Sequence, residues 1–283
     1  MRIAFQGESG AYSEAAAIRF SDHADLLPCE SFDDVFTAVA TGKATHGILP
    51  VENSIGGSIH RNYDLLLEHE LPIVGETELT VVHNLLALPG TPIESIRRVF
   101  SHPQALAQTE RFVRTLPGVE VVATYDTAGS ARLIREGNLR DTAAIASARA
   151  AEAFGLEVLR AGIQDFEDNI TRFILVSRDP QPLGRPDKTT LAFTLHNAPG
   201  ALFKALSVFA LRDIDLTKLE SRPARGKPWE YLFYVDIGVG RDDVRCMRAI
   251  GHLTESAQWV RTLGSYQRWT GEPGLVEPLP RAQ

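Results

Sequence analysis

Gly47-Ile48-Leu49-Pro50-Val51 is a short apolar run. It is followed by the polar, glycine-bearing segment Glu52-Asn53-Ser54-Ile55-Gly56-Gly57-Ser58, and then by Tyr63, Leu66 and Leu67 at helical spacing. The run reads as a buried strand, the segment as a turn and the last residues as a helix. The unit recurs on both sides. Ile3 to Phe5 is a strand ending at Gly7, and Gly7-Glu8-Ser9-Gly10 is a flexible turn. Ser13 is then the expected N-cap of the Ala-rich helix Glu14 to Phe20, with Glu14 in its first turn. Arg98-Val99-Phe100-Ser101 leads into a helix expected over Gln104 to Leu116 and stopped by Pro117-Gly118. Val119 to Ala123 passes through Asp126-Thr127-Ala128-Gly129-Ser130 into another helix. Ala143 to Ala146 is a strand before a helix from Ser147 to Phe154. Strands alternating with helices argue for an α/β protein with mostly parallel sheets. Ligands bind such sheets beyond the C-terminal ends of the strands, where these polar loops fall.

The pattern changes after the Pro/Gly linker Gln181-Pro182-Leu183-Gly184-Arg185-Pro186. Thr189 to His196 reads as an alternating strand and Pro199 to Leu211 as an amphipathic helix. Leu216 to Ser221 and Tyr231 to Ile237 are two strands, Val244 to Ser256 a helix and Trp259 to Tyr266 a last strand. This βαββαβ order is the ferredoxin-like unit. The tail Gly271 to Gln283 holds three prolines and is expected to fray.

Composition excludes several functions. The 283 residues are 44% hydrophobic and 23% charged, with a formal net charge of -7 and no concentration of Lys or Arg. Nucleic acid and anionic membranes are therefore not expected partners. Cys29 and Cys246 stand far apart, outside any metal-ligand spacing, and read as free thiols in a reducing compartment. Met1 to Gly7 enters a strand at once and lacks the apolar stretch of a secretory signal. These points lead to an expected cytoplasmic location.

No Gly-x-Ser-x-Gly elbow or Walker loop is present. The loops offer neutral donors instead: Ser9, Ser13, Asn53, Ser54, Ser58, Ser101, Gln104, Gln108, Thr127 and Ser130. Each taken alone is an ordinary cap or turn residue. Their convergence at one sheet edge is what suggests a site. Asp168-Asn169-Ile170-Thr171-Arg172-Phe173 sets a hydroxyl beside a fixed cation at the mouth of a buried strand. The chemistry of these residues alone does not separate a functional pair from a strand-entry Thr and a surface Arg.

Asn169-x-Thr171-Arg172-Phe173 resembles a signature of the prephenate dehydratases. Val51-Glu52-Asn53-Ser54-Ile55-Gly56-Gly57-Ser58, Ser101-His102-Pro103-Gln104-Ala105-Leu106-x-Gln108 and Phe5-Gln6-Gly7-x-x-Gly10-Ala11-Tyr12-Ser13-Glu14 fit the same family. Asn197-x-Pro199-Gly200-Ala201-Leu202 and Glu220-Ser221-Arg222-Pro223 resemble the phenylalanine-binding motifs of its ACT domain. The resemblance runs from Met1 to about Tyr266. It implies a catalytic domain over 1–180 in two lobes similar to those of periplasmic binding proteins, about 1–78 with 163–178 and about 79–162. A linker over 181–187, an ACT domain over 188–266 and a tail over 267–283 would follow.

The resemblance also implies a reaction, the decarboxylative dehydration of prephenate to phenylpyruvate, with no cofactor and no metal. Thr171 and Arg172 would be catalytic, with Thr171 donating to the departing hydroxyl and Arg172 anchoring a carboxylate or orienting Thr171. Asn53, Ser54, Ser101, Gln108, Thr127 and Phe173 would bind substrate. Asn197, Ala198, Gly200, Ala201, Leu202, Glu220, Ser221, Arg222 and Pro223 would bind phenylalanine, as an inhibitor, in a homodimer or homotetramer. A monofunctional enzyme, without a chorismate mutase helix ahead of Met1, is expected. Two departures stand out. Phe203 replaces the aliphatic residue common in the ACT motif and is expected to narrow the ligand pocket. Asp126 stands where some relatives carry glutamate. The alternatives are an arogenate dehydratase and a non-catalytic amino-acid sensor.

Overall fold

The computed structural model describes residues 1–21, 23–224 and 230–271. The elements run β1 (Arg2–Gln6), α1 (Tyr12–Phe20), β2 (Asp25–Cys29), α2 (Phe32–Ala40), β3 (His46–Asn53), β4 (Gly57–Ser58), α3 (His60–His69), β5 (Ile73–Thr80) and β6 (Asn84–Ala87). Next come β7 (Arg98–Ser101), α4 (Pro103–Ala107), α5 (Glu110–Val113), β8 (Glu120–Ala123), α6 (Thr127–Glu136), β9 (Thr142–Ala146), α7 (Ala148–Phe154), β10 (Glu157–Arg160) and β11 (Ile170–Ser177). The last are β12 (Lys188–Thr194), α8 (Ala201–Ala210), β13 (Leu216–Pro223), β14 (Tyr231–Ile237), α9 (Val244–Ser256) and β15 (Trp259–Tyr266). The chain divides into two compact units. One holds Met1–Leu65 with Thr77–Ile174, and the other Leu66–Glu76 with Leu175–Thr270.

In the first unit two sheets lie under helices. One has the order β5-β11-β3-β1-β2 with β4 beside β3, and the other β10-β6-β9-β7-β8. β1 runs parallel to β2 and β3, and β7 runs parallel to β8 and β9. The β6–β9 and β10–β6 pairs are antiparallel, so parallel pairing is not uniform. The strands of the first sheet bury Ile3, Phe5, Ile48 and Leu49, and α2 buries Val35, Phe36 and Val39. Burial at i, i+1 and i+4 gives α2 one apolar face. Its start is a capping box: Ser31 Oγ accepts from the Asp34 N–H, and the Asp34 carboxylate accepts from the Ser31 N–H. The second sheet packs Leu85, Val99, Ala143 and Ile145 against Ile96, Ala105 and Ile163.

In the second unit β12, α8, β13, β14, α9 and β15 form the expected βαββαβ unit, with strand order β13-β14-β12-β15. The pairs are antiparallel. Phe193, Leu191, Phe209, Val235, Ile237 and Leu253 form its core. β12 is buried almost throughout rather than alternating. On its second face the polar residues are satisfied. Lys188 Nζ lies 2.8 Å from Glu76 Oε2, and Thr190 donates to Asp236.

Three local expectations are corrected. α1 starts at Tyr12 after Ala11, and Ser13 lies inside it rather than capping it. The helix expected over 104–116 is two short helices. They break at Gln108 and Thr109, where the Thr109 hydroxyl donates to the Ala105 carbonyl and competes with the backbone ladder. α8 starts at Ala201, because Gly200 takes the left-handed conformation at φ +76°. Of the tail, residues 272–283 lie outside the described residues.

Among the described glycines of the first unit, the tightest approach to backbone is at Gly10, with φ +85°. A Cβ built there would lie 2.5 Å from the Ala150 Cα, and Ser147 Oγ donates to the Gly10 carbonyl at 2.6 Å. Left-handed strain and a backbone clash add at one position. Gly10→Ala is expected to cost about 2–4 kcal/mol. Urea unfolding checks this, and an unchanged midpoint would contradict it.

Candidate active site

The site forms where strand ends of the first unit converge. β3 leaves at Asn53 as β11 enters at Ile170. The Ser54 N–H donates to the Ile170 carbonyl at 2.8 Å, and the Val81 N–H donates to the Asn169 carbonyl at 2.7 Å. These bonds place Asn53, Asn169 and Thr171 side by side, and all three are buried.

Asn53 has only one workable orientation. Its side-chain oxygen accepts from the Ile55 N–H at 3.1 Å and the Gly56 N–H at 2.7 Å, and backbone N–H groups can only donate. Its NH₂ group therefore faces Asn169 Oδ1 at 2.7 Å and Thr171 Oγ1 at 2.9 Å. Gln108 Nε2 donates to Asn53 Oδ1 at 3.2 Å, and Gln108 Oε1 accepts from Asn169 Nδ2 at 2.9 Å. Among the described residues, the Thr171 hydroxyl oxygen accepts from Asn53 and donates to none. Its proton is left for the cavity it faces.

That cavity holds about 470 Å³, a size suited to a small organic substrate. Asn53, Gln108, Thr127, Thr171 and Phe173 line it, so five of the expected substrate and catalytic residues meet there. Three do not. Ser54 Oγ donates to the Asp168 carbonyl and accepts from the Ile170 N–H, stapling the two strand ends. Ser101 Oγ is wholly buried against the Ile145 carbonyl at 2.6 Å. Arg172 lies on the other face of β11, as strand alternation requires between Thr171 and Phe173. It pairs with Glu52 at 3.1 Å and donates to the Tyr63 hydroxyl at 3.3 Å.

His83 escaped the sequence reading, and Tyr12, part of the opening motif, had no role in it. His83 is buried, with Nε2 2.9 Å from Gln108 Oε1 and Nδ1 3.1 Å from the Tyr12 hydroxyl. Tyr12 donates to the Val82 carbonyl at 2.7 Å. Burial lowers the His83 pKa, with the Gln108 bond opposing, and the ring is held neutral. Burial also pushes the Tyr12 phenol far up, and the Asp126 charge adds to this. A lone histidine at the end of an apolar run carries no motif. Its only signal is the polar pair His83-Asn84 between Val81-Val82 and Leu85-Leu86.

The charge of the lining is one-sided. Asp33 and Asp126 contribute carboxylates, and among the described residues no Lys or Arg lines the cavity. Asp33 is balanced by Arg61. Asp126 caps α6 through the Gly129 N–H. Burial raises its pKa, and backbone N–H groups of Gly129, Glu8 and Thr127 oppose the rise.

In the second unit a cavity of about 130 Å³ is lined by Asn197, Ala198, Ala201 and Leu202, together with Tyr231 and Phe233. Gly200, which opens α8 between the lining residues Ala198 and Ala201, is not itself in the lining, and a side chain there would meet nothing within 4 Å. Glu220, Ser221, Arg222 and Pro223 lie on β13, where Ser221 pairs with Phe233 and Pro223 with Tyr231, and they do not line the cavity. Phe203 is 77% exposed and does not narrow it. A helical side chain two residues past Ala201 turns away from the face that Ala201 presents.

The chain belongs to the prephenate dehydratase family: the family model "Prephenate dehydratase" matches residues 3–181, and the ACT domain model matches 189–250. Arogenate dehydratase 1 of Petunia hybrida is 50% identical over 284 residues, covering 94% of this chain and 66% of that protein. The chloroplastic arogenate dehydratase/prephenate dehydratase 2 of Arabidopsis thaliana is 50% identical over 277 residues, covering 94% and 72%. The chain thus spans about two thirds of the length of these relatives. Among solved structures, the prephenate dehydratase of Arthrobacter aurescens in complex with L-Phe superposes with a TM-score of 0.88 at 33% identity, covering 98% of this chain and 94% of that one. GqqA, described as a novel type of quorum quenching acylase, gives 0.86 at 37%, covering 95% and 99%. The expected cytoplasmic location is corrected, because relatives of this similarity are chloroplast proteins.

Proposed function

We propose that the chain carries out decarboxylative dehydration of prephenate and of its aminated analogue arogenate, under control by phenylalanine. The observation that carries this reading is the Thr171 hydroxyl, which accepts from Asn53 and keeps its proton for the cavity. In the reaction the ring carboxylate leaves as carbon dioxide. The electrons of the broken C–C bond aromatise the ring, and the ring hydroxyl departs as water with one proton that is taken up, in the end, from solvent. Aromatisation drives the step, so no electron-sink cofactor is required. Thr171 donates to the departing hydroxyl, acting on charge that develops in the transition state. Asn53 and Gln108 hold it in place. Ser13, Gln104 and Thr127 line the cavity and supply neutral donors for the carboxylates. Phe173 keeps water out, which favours loss of the ring carboxylate. Arg172, held by Glu52 and Tyr63, stiffens β11 behind Thr171.

One observation favours arogenate as the better substrate. Among the described residues two carboxylates and no Lys or Arg line the cavity, and with Asp33 paired to Arg61 the negative field there is that of Asp126. An ammonium group on the substrate gains from that field, and a bare dianion loses. The arogenate dehydratases among the relatives support the same preference.

The domain reading is a catalytic domain over 1–180 with lobes at about 1–78 with 163–178 and about 79–162, a linker over 181–187 and an ACT domain over 188–266. The cavity beside Gly200 takes phenylalanine, with paired ACT domains completing the site in a homodimer or homotetramer. The L-Phe bound to the Arthrobacter aurescens relative supports this. Coupling requires phenylalanine to bind the low-activity state more tightly, typically by about 1–3 kcal/mol.

Two outcomes are expected. Thr171→Ala lowers kcat on both substrates by about 10²–10⁴, while Thr171→Ser keeps substantial activity and arogenate gives the higher kcat/KM. Steady-state kinetics check this, and a folded Thr171→Ala variant with wild-type kcat would remove Thr171 from the chemistry. Gly200→Val abolishes phenylalanine binding and feedback inhibition and leaves basal turnover largely intact. Calorimetry beside inhibition curves reads both, and wild-type inhibition in that variant would place the sensor elsewhere.

A further inference from the structure

The donor and acceptor accounting of the amide cluster continues past Gln108. Asn53 Oδ1 is fixed as an oxygen by the Ile55 and Gly56 N–H groups, so the Gln108 atom 3.2 Å from it is the nitrogen. The other end of Gln108 is then the oxygen. That oxygen already accepts from Asn169 Nδ2 at 2.9 Å, and His83 Nε2 stands at the same distance from it. Two acceptors at 2.9 Å would repel, so Nε2 carries the hydrogen. A neutral imidazole then has a bare Nδ1, which faces the Tyr12 hydroxyl at 3.1 Å. Tyr12 shares its single proton between Nδ1 and the Val82 carbonyl. The line Tyr12–His83–Gln108–Asn53–Thr171 is thereby polarised from end to end. Every member is part-buried or buried, where an unpaired polar atom is costly.

We infer that His83, as its Nε2–H tautomer, is a positioning residue for the dehydration step, acting on Thr171 through Gln108 and Asn53. This rests on the dehydratase reading above. His83 lines the same cavity as Thr171, but its hydrogen-bonding atoms are both committed to the protein. It therefore acts on the geometry of the donor and not on substrate. Losing the Nε2 donor leaves one lone pair of Gln108 Oε1 unsatisfied. The carboxamide keeps its bonds to Asn53 and Asn169 but loses its third anchor, so it shifts, and with it the Asn53 contact that keeps the Thr171 proton directed at the cavity. A donor displaced by part of an ångström costs rate and little affinity.

The test compares two side chains of similar length. His83→Met removes the donor. His83→Gln keeps an N–H for Gln108 and a carbonyl for the Tyr12 hydroxyl. His83→Met is expected to lower kcat about 10–100-fold with KM changed less than threefold, and His83→Gln to recover kcat to within about fivefold of wild type. In a Thr171→Ala background, His83→Met is expected to cost less than threefold, because the group it positions is gone. A wild-type kcat in folded His83→Met, an equal loss in both backgrounds, or no recovery in His83→Gln would overturn the inference. Nitrogen-15 NMR of histidine-labelled wild-type protein gives a readout independent of the variants. A neutral ring protonated at Nε2 is expected, and a ring protonated at Nδ1 alone would overturn the inference. Wild-type protein inactive on both prephenate and arogenate would instead sink the dehydratase reading and the positioning role with it, while the NMR result would still report the polarity of the line.

Discussion

Two backbone N–H groups, those of Ile55 and Gly56, decide which end of the Asn53 carboxamide is oxygen. Everything else in the cavity wall follows from that orientation. Asn53 must give its hydrogens to Asn169 and Thr171, and Gln108 must give its own to Asn53. The arrangement is rigid because the amides are buried and Asn53, held by backbone N–H groups that cannot reverse their role, fixes the sense of the others. A backbone turn thus sets the direction of a side-chain hydroxyl on a different strand.

The fold supplies the meeting place. β3 and β11 are neighbours in one sheet, so the end of one and the start of the other bring 53 and 171 together across more than a hundred residues of chain. Gln108 comes from the break between α4 and α5, and His83 from the connection between β5 and β6. The break at Gln108 and Thr109 therefore has a consequence. The Gln108 N–H still donates to the Gln104 carbonyl, but its own carbonyl accepts from the Asp165 N–H at 2.7 Å, and its side chain reaches Asn53 and His83. Close contact at Gly10 and Ser147 ties α7 to the turn after β1 beside the same cavity wall.

Much of this was readable in the sequence. Apolar runs broken by Gly and polar loops gave β1, β3, β7 and β9, and the βαββαβ pattern gave β13, β14, α9 and β15 close to their observed ends. Strands without a clean run were missed. β2 reads Asp25-Leu26-Leu27-Pro28-Cys29 with a proline inside, and β5 carries Glu76 and Glu78 among its apolar residues. For the site, the residue types near the strand ends were visible, but the direction of each was not. Ser101 and Arg172 sit in the same motifs as Gln108 and Thr171 yet bond to a carbonyl and to Glu52. Strand parity separates Thr171 from Arg172, and this could have been read. The tertiary partner of Ser101 could not. His83 had no local pattern at all, since its role exists only through Gln108, 25 residues away.

The claim that Asn53 leaves the Thr171 proton to the cavity is tested most directly by exchanging one atom. Asn53→Asp keeps the shape and the oxygen that the Ile55 and Gly56 N–H groups bind. It replaces the NH₂ group beside Thr171 with an acceptor, which captures the hydroxyl proton. The measurement is the single-turnover rate at saturating substrate and pH 8, on protein whose unfolding midpoint matches wild type. The account predicts a fall of at least about 10²-fold, comparable to loss of the hydroxyl itself. A rate within threefold of wild type would contradict it.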